Sequence, residues 1–237
     1  MGLASNCIGL YRMNDFTWDG TPDEVKDNSG LGNHGVRFGN ATISLDGKIN
    51  TCGIFQGSND GVSLGTPASL QPALITISVW IKTNAVPGPW AMIFGSSYQY
   101  GAWLALKSNE KLAFYTKTGA GAFHTWLDIH QIVIGEWTHI VAIWNGTHKK
   151  IYVNGDFIDD KDVTDGDLNW AGTTDLCIGC EQDHASYEFD GLIDALMIFD
   201  RALSEPEIAF LWNGGDGREA FANVPAAIHH LQMAGSL

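Results

Sequence analysis

The chain has 237 residues, 45% hydrophobic and 17% charged, with a formal net charge of −14. That length fits one large all-β domain or two small ones, and that balance of apolar to charged residues folds rather than staying disordered. The acid excess argues against nucleic acid as a partner, because phosphate binding needs a basic face, and it is compatible with cation binding and high solubility. No apolar run is long enough to cross a bilayer, so membrane insertion is not expected. The opening MGLASNCIGLYRMN lacks the basic and apolar regions of a signal peptide. The expectation is therefore an excised domain, an intracellular protein, or part of a particle that leaves the cell by another route.

Residues 8–14 alternate in strand fashion, and a polar loop follows through Asp15, Trp18 and Asp23. Asp27-Asn-Ser-Gly-Leu-Gly-Asn-His-Gly35 is dense in residues that tolerate positive φ. It lacks the Lys and following helix of a phosphate loop, whereas its closely spaced oxygens suit a hard cation such as calcium. Cys52–Phe55 and Val62–Leu64 read as strands around the turn Gln56–Gly61. Ile75–Lys82 alternates cleanly, with Ile75, Ile77, Val79 and Ile81 on one face and Trp80 on the other. Met92–Phe94 is a further strand, Tyr98–Lys107 and Lys111–Thr116 form a hairpin, and Trp126–Ile129 is another candidate strand. Trp137–Trp144 alternates again, and Lys150–Ile158 is a hairpin whose Asn154-Gly155 centre suits a type I′ turn.

The closing stretch Tyr187–Arg201 turns at Asp190-Gly191 and runs on as Leu192-Ile-Asp-Ala-Leu-Met-Ile-Phe199, a strand buried on both faces. Asp194 interrupts it. A carboxylate there must be hydrogen-bonded, paired or bound to a cation, because burying it alone is prohibitively costly. Ser204-Glu-Pro-Glu-Ile208 then starts a short helix: Ser204 caps it, Pro206 is tolerated in the first turn, and the acids face the positive end of the dipole. Asn213-Gly214-Gly215 stops it. With strands at short regular spacing and no helical period before Ser204, the pattern is an all-β sandwich. One domain is read over 1–217, with a tail over 218–237 that is either a linker or a docking segment. The four cysteines are Cys7, Cys52, Cys177 and Cys180. Cys177-Ile-Gly-Cys180 has neither a second CxxC nor a His pair at zinc spacing, so buried thiols, a disulfide and a metal site all stay open, with Cys7 and Cys52 the first pair to test.

Seven local patterns occur in an order that resembles the laminin G-like, concanavalin A-like jelly-roll domains. They are Tyr11–Asn14, Asp27–Gly35, Phe55–Asp60, Ile77–Lys82, Gly135–Val141, Ile151–Gly155, and Gly191–Asp194 with Arg201–Ile208. The resemblance runs from about Cys7 to Gly215. It implies a two-sheet antiparallel jelly-roll sandwich with one short helix after the last strand. It also implies a binding role, toward a carbohydrate, glycoconjugate or cell-surface partner, in an extracellular, cell-surface or virion setting. Calcium is expected as a structural cofactor, joining Asn14 and Asp15, Asp27 with carbonyls around Gly30, and Asp194. Asn14 stands where the family usually carries an acid, so this set holds fewer negative ligands.

For ligand binding the candidate surface is the concave sheet and its loop rim. Trp90, Tyr98, Tyr100, Trp103, His124 and Trp126 lie in or beside loops, where sugar rings can stack on aromatics, and Asn59, Asp60 and Asp183 are placed to take hydroxyls. Trp80, Trp137 and Trp144 are read as core or structural, and His139 as structural. Jelly-roll glycanases carry alternating acids on one strand. The nearest stretch here, Glu181 to Glu188, puts Glu188 out of step with Glu181 and Asp183, so no catalytic residues are assigned. The leading expectation is a non-catalytic glycan-binding module with a structural calcium. The alternatives are a structural or adhesive component of a larger assembly, held by protein contacts, and a divergent polysaccharide hydrolase or lyase.

Overall fold

A computed structural model describes residues 3–97, 99–119, 123–126, 128–163 and 166–220. The strands are β1 (Cys7–Tyr11), β2 (Val36–Phe38), β3 (Thr42–Ser44), β4 (Cys52–Gln56), β5 (Gly61–Ser63), β6 (Ile75–Ala85), β7 (Trp90–Ser97), β8 (Tyr100–Lys107), β9 (Leu112–Lys117), β10 (Phe123–Trp126), β11 (Thr138–Trp144), β12 (His148–Val153), β13 (Asp156–Asp162), β14 (Cys177–Ile178) and β15 (Asp190–Phe199). One helix, α1 (Glu205–Trp212), follows the last strand. Among the described residues these strands form two antiparallel sheets. The first runs β13-β12-β11-β6-β15-β4-β3 with β1 also on β15, and the second runs β10-β9-β8-β7-β14-β5-β2. The expected two-sheet sandwich with one terminal helix is what the chain adopts.

Period-2 alternation sorts the side chains into three layers. The core between the sheets takes Ile75, Ile77, Val79 and Ile81 from β6 and Ile140, Ala142 and Trp144 from β11; Ala102, Leu104 and Phe114 come from the second sheet. On the outer face of the first sheet, Leu10, Val141, Ile143, Met197 and Phe199 pack under Leu203 and the buried Ile208 and Leu211 of α1. The Ser204 amide donates to Glu207 Oε2 at 2.9 Å in a capping box, and the Arg201 guanidinium grips both Glu207 oxygens at 2.6 and 2.9 Å. The outer face of the second sheet carries Met92, Trp103, Ala105, Ala113 and Tyr115, with no helix laid over it among the described residues.

β15 is the central strand. One edge pairs with β6 throughout; the other pairs with β4 over Asp190–Ile193 and with β1 over Leu196–Phe199. A bulge between Asp194 and Met197 marks the change of partner, and Ala195 there sits at φ 46°. The extra residue inverts the alternation. Ile193, Leu196 and Ile198 thereby face the core, while Met197 and Phe199 face α1.

Several expectations need correction. β1 ends at Tyr11, because Met13 turns the chain at φ 54°. β2 and β3 were not expected, since three-residue strands carry too little alternation to see. Of the tryptophans read as core or structural, Trp80 and Trp144 are fully buried and Trp137 half-buried. Of the readings left open for the cysteines, buried thiols is the one observed, for all four. Just past Gly217, Glu219 pairs with Arg12 at 3.0 Å, and Ala220 packs among the residues under α1.

His139 and Lys149 are buried bases. His139 stacks on Trp80, its Nε2 lies 2.9 Å from Ser78 Oγ, and burial pushes its pKa down to about 3. Lys149 reaches from β12 to the second sheet, donating to the carbonyl oxygens of Phe114, at 3.0 Å, and His124. It is fully buried, and loss of hydration brings its pKa down to about 6. Its folded pKa lies below the unfolded one, so its contribution is full above pH ~10 and is lost as pH falls toward 6. Lys149→Met should therefore gain most in melting temperature over wild type near pH 6, with the gain shrinking by pH 9; calorimetry at both pH values checks this.

Candidate functional site

Strands β7, β8 and β9 build the outer face of the second sheet. Trp90, Trp103 and Tyr115 rise from it, and the loop before β15 adds Tyr187. These four side chains line a cavity of about 180 Å³. The rings meet edge to face: Trp90–Trp103 at 5.4 Å and 69°, Trp90–Tyr115 at 5.7 Å and 83°, Trp103–Tyr115 at 4.8 Å and 75°. Trp103–Tyr187 completes the set at 6.1 Å and 66°. Edge-to-face packing satisfies the ring quadrupoles. Trp103 is the floor, fully buried, its indole N–H directed at Met92 Sδ; Trp90 and Tyr187 are half-buried walls. Gly95 lies opposite Trp103 at φ 142°, where a Cβ would come within 3.2 Å of the indole, so a larger residue would push the floor outward.

The loop carrying Tyr187 is stitched to β7. Gly179 N donates to Ile93 O at 3.2 Å, Gln182 N to Ser96 O at 2.9 Å, and Met92 N to Tyr187 O at 2.7 Å. At its start Glu181 is half-buried, and desolvation raises its pKa against a lowering hydrogen bond from Ser97.

The expected ligand residues divide. Trp90 and Trp103 are in the cavity. Tyr100 is half-buried beside Gly172, with Lys117 Nζ 5.3 Å above its ring. His124 is half-buried on β10, and its carbonyl holds Lys149. Trp126 belongs to the intersheet core, a correction that follows from its place at the inward-facing end of β10. Asp60 is fully buried and accepts from the amides of Asn40 at 2.6 Å and Gln56 at 3.0 Å, so it braces the β4–β5 turn rather than facing a ligand. Asn59 occupies that turn at φ 55°. Asp183 is exposed and accepts from Ala185 N and Ser186 Oγ in its own loop. Tyr98 lies outside the described residues. Tyr115 and Tyr187 were not anticipated: Tyr115 sits inside ordinary hairpin alternation, and Tyr187 reads as the lead-in to β15.

The expected calcium residues are not gathered into one cage. Both oxygens of Asp27 are already used, by Leu10 N and Ser29 N on one and by Ser29 Oγ and Asn33 N on the other. Asp15 Oδ2 accepts from Trp18 Nε1 at 2.9 Å, Asn14 Oδ1 accepts from Thr51 N and Oγ1, and Gly30 makes the turn at φ 95°. Asp194 accepts from Ile49 N at 2.7 Å, while its other oxygen is buried without a hydrogen bond. A carboxylate holding four donors has no lone pair left for a cation, so this set does not fit a shared calcium ion.

A profile described as the concanavalin A-like lectin/glucanases superfamily matches residues 56–209, and the chain belongs to that superfamily. A human protein, adhesion G-protein coupled receptor D1, is 26% identical over 198 residues, which cover 74% of this chain and 22% of the receptor; the chain thus spans about a fifth of that relative. The binding domain of Paraclostridial Mosquitocidal Protein 1 superposes with a TM-score of 0.68 at 20% identity, covering 89% of this chain and 52% of that one. Domain 4 of AbnA, a GH43 extracellular arabinanase from Geobacillus stearothermophilus solved with arabinotriose, also gives a TM-score of 0.68, at 18% identity over 90% of this chain and 98% of that one. A botulinum neurotoxin DC binding domain in complex with SialylT gives 0.65 at 16% identity, over 90% and 52% of the two chains. At such identities the structural likeness concerns the fold.

Burial is the largest influence on Asp194 and raises its pKa to about 7, against lowering contributions from the amides of Ile49, Ala195 and Lys48. The folded pKa lies above the unfolded one, so this stability is present below pH ~4 and is lost, by roughly 4 kcal/mol, as pH rises through 7. In chelator, Asp194→Asn should therefore gain in melting temperature relative to wild type as pH rises from 5 to 8, a difference that isolates Asp194 from the opposite pH dependence of Lys149. Calcium added at pH 8 should leave the wild-type melting temperature unchanged; a rise of several degrees, lost in Asp194→Asn, would restore the cation reading.

Proposed function

We propose that this chain is a non-catalytic binding module whose open aromatic face recognises a glycan. The observation that carries the reading is the four-ring cavity on the outer face of the second sheet, which no helix covers among the described residues. Sugar rings present apolar C–H faces that match exposed aromatic faces, and well-ordered aromatic anchors dominate binding energetics. The cavity lining has no carboxylate, and Asp183 is engaged within its own turn, so no pair of acids flanks this cavity among the described residues. The solved relatives bound to arabinotriose and to SialylT support a sugar as ligand, and the similarity to an adhesion receptor supports work at or outside a cell surface. A protein ligand on the same face is the second reading, favoured by a botulinum neurotoxin DC binding domain solved with rat synaptotagmin II.

A glycan microarray probed with the whole chain tests the first reading. Wild type should bind a defined subset of glycans, and Trp90→Ala or Tyr187→Ala should weaken binding by about tenfold to a hundredfold. Trp126→Ala should instead lose about 3–5 kcal/mol of stability, as core truncations do. Undiminished binding by both wall variants would remove the face from the account.

A further inference from the structure

On the flank of the aromatic face, three side chains with metal-ligand chemistry converge. Asp175, Cys177 and His184 bring an oxygen, a sulfur and a nitrogen to within 4.8 Å of one another. Cys180 follows in the same CxxC and packs in the same buried cluster as Cys177. The pattern is Asp-x-Cys-x2-Cys-x3-His, with the CxxC folded back through Gly179 at φ 86°. We infer that Asp175, Cys177, Cys180 and His184 form a structural zinc site.

Burial supports this. Cys177 and Cys180 are fully buried, and Asp175 is 7% exposed. Asp175 Oδ2 lies 2.6 Å from His184 Nε2, while Asp175 Oδ1 is buried with no hydrogen-bond partner. Phe38 stacks on the His184 ring at 4.3 Å and 15°, holding its plane. A buried carboxylate oxygen without a donor is costly, and a cation removes that cost.

Two sulfurs, one imidazole and one carboxylate are the ligand types that tetrahedral zinc takes when every position comes from the protein. Metal–ligand bonds of 2.0–2.2 Å place tetrahedral N and O about 3.3 Å apart. The imidazole therefore has to withdraw by well under 1 Å from its 2.6 Å contact, and its 38% side-chain exposure gives it room. Binding releases the two thiol protons, converting both cysteines to thiolates beside the divalent ion. The ion would tie β14 to the loop that carries Tyr187, so the site stands whether or not the aromatic face binds sugar.

The test uses the whole chain purified under reducing conditions without chelator. Mass-spectrometric metal analysis should find one zinc per chain. Exchange to cobalt should give the visible bands of a tetrahedral ion together with thiolate-to-metal charge transfer. His184→Ala, at a partly exposed loop position, should keep its near-ultraviolet tryptophan signature while losing more than about a hundredfold in zinc affinity, beyond what an outer-shell change costs. Cys180→Ser should roughly halve the charge-transfer band, leaving the one thiolate of Cys177, and Cys177→Ser with Cys180→Ser should abolish it. Metal-free chains whose thiols stay reactive in the presence of zinc, a Cys177–Cys180 disulfide in the native protein, or unchanged affinity in His184→Ala would each overturn the assignment.

Discussion

The architecture depends on where β15 places one carboxylate. Asp194 sits fully buried where the strand exchanges β4 for β1 as its neighbour. The bulge beside it lets a continuous apolar run serve two layers, sending Leu196 and Ile198 into the sandwich and Met197 and Phe199 under the helix. Asp194 takes the amide of Ile49, so the β3–β4 loop folds over this junction. Lys48 from that loop covers Trp80 at 4.7 Å, and Trp80 stacks on Trp212 of α1 at 5.2 Å. One buried acid thus links the central strand, a surface loop and the terminal helix.

The consequence is a sandwich with unequal outer faces. The face built around β15 is sealed by α1, the β3–β4 loop and the docked residues to Ala220, and it has become a second core. The other has no helix over it among the described residues, and its aromatic rings enclose a cavity between the half-buried Trp90 and Tyr187. Its rings are held by strand pairing beneath and by backbone bonds from the 179–187 loop at the side, so the surface is preorganised, which lowers the entropic cost of binding. The formal charge of −14 is spread over loops and edge strands such as the acid-rich β13, away from the cavity lining.

Strict alternation made the long strands readable: β6 and β11 show one apolar face each, and Asn154-Gly155 marks its hairpin turn with φ values of 52° and 82°. The helix start was equally plain, since Ser204 and Glu207 form a cap recognisable from spacing alone. The bulge was not, because a strand buried on both faces has no alternation to interrupt. Trp90 and Trp103 were accessible as aromatics near strand ends, but Trp126 has the same local context and points into the core. Strand parity relative to the sandwich separates them, and parity needs the register. Asp175 and His184 flank the CxxC at short range, yet a search for a second cysteine pair or a histidine pair passes over one acid and one histidine.

The central claim is that the uncovered face of the second sheet is where a ligand lands. Its most direct test is a two-dimensional nitrogen–proton spectrum of the tryptophan indoles during titration with arabino- and sialyl-oligosaccharides. The account predicts that the Trp90 and Trp103 resonances move together and saturate, while those of Trp80, Trp126 and Trp144 stay in place. Saturable shifts confined to the latter three, or no shift at Trp90 and Trp103 with any of these sugars, would contradict it.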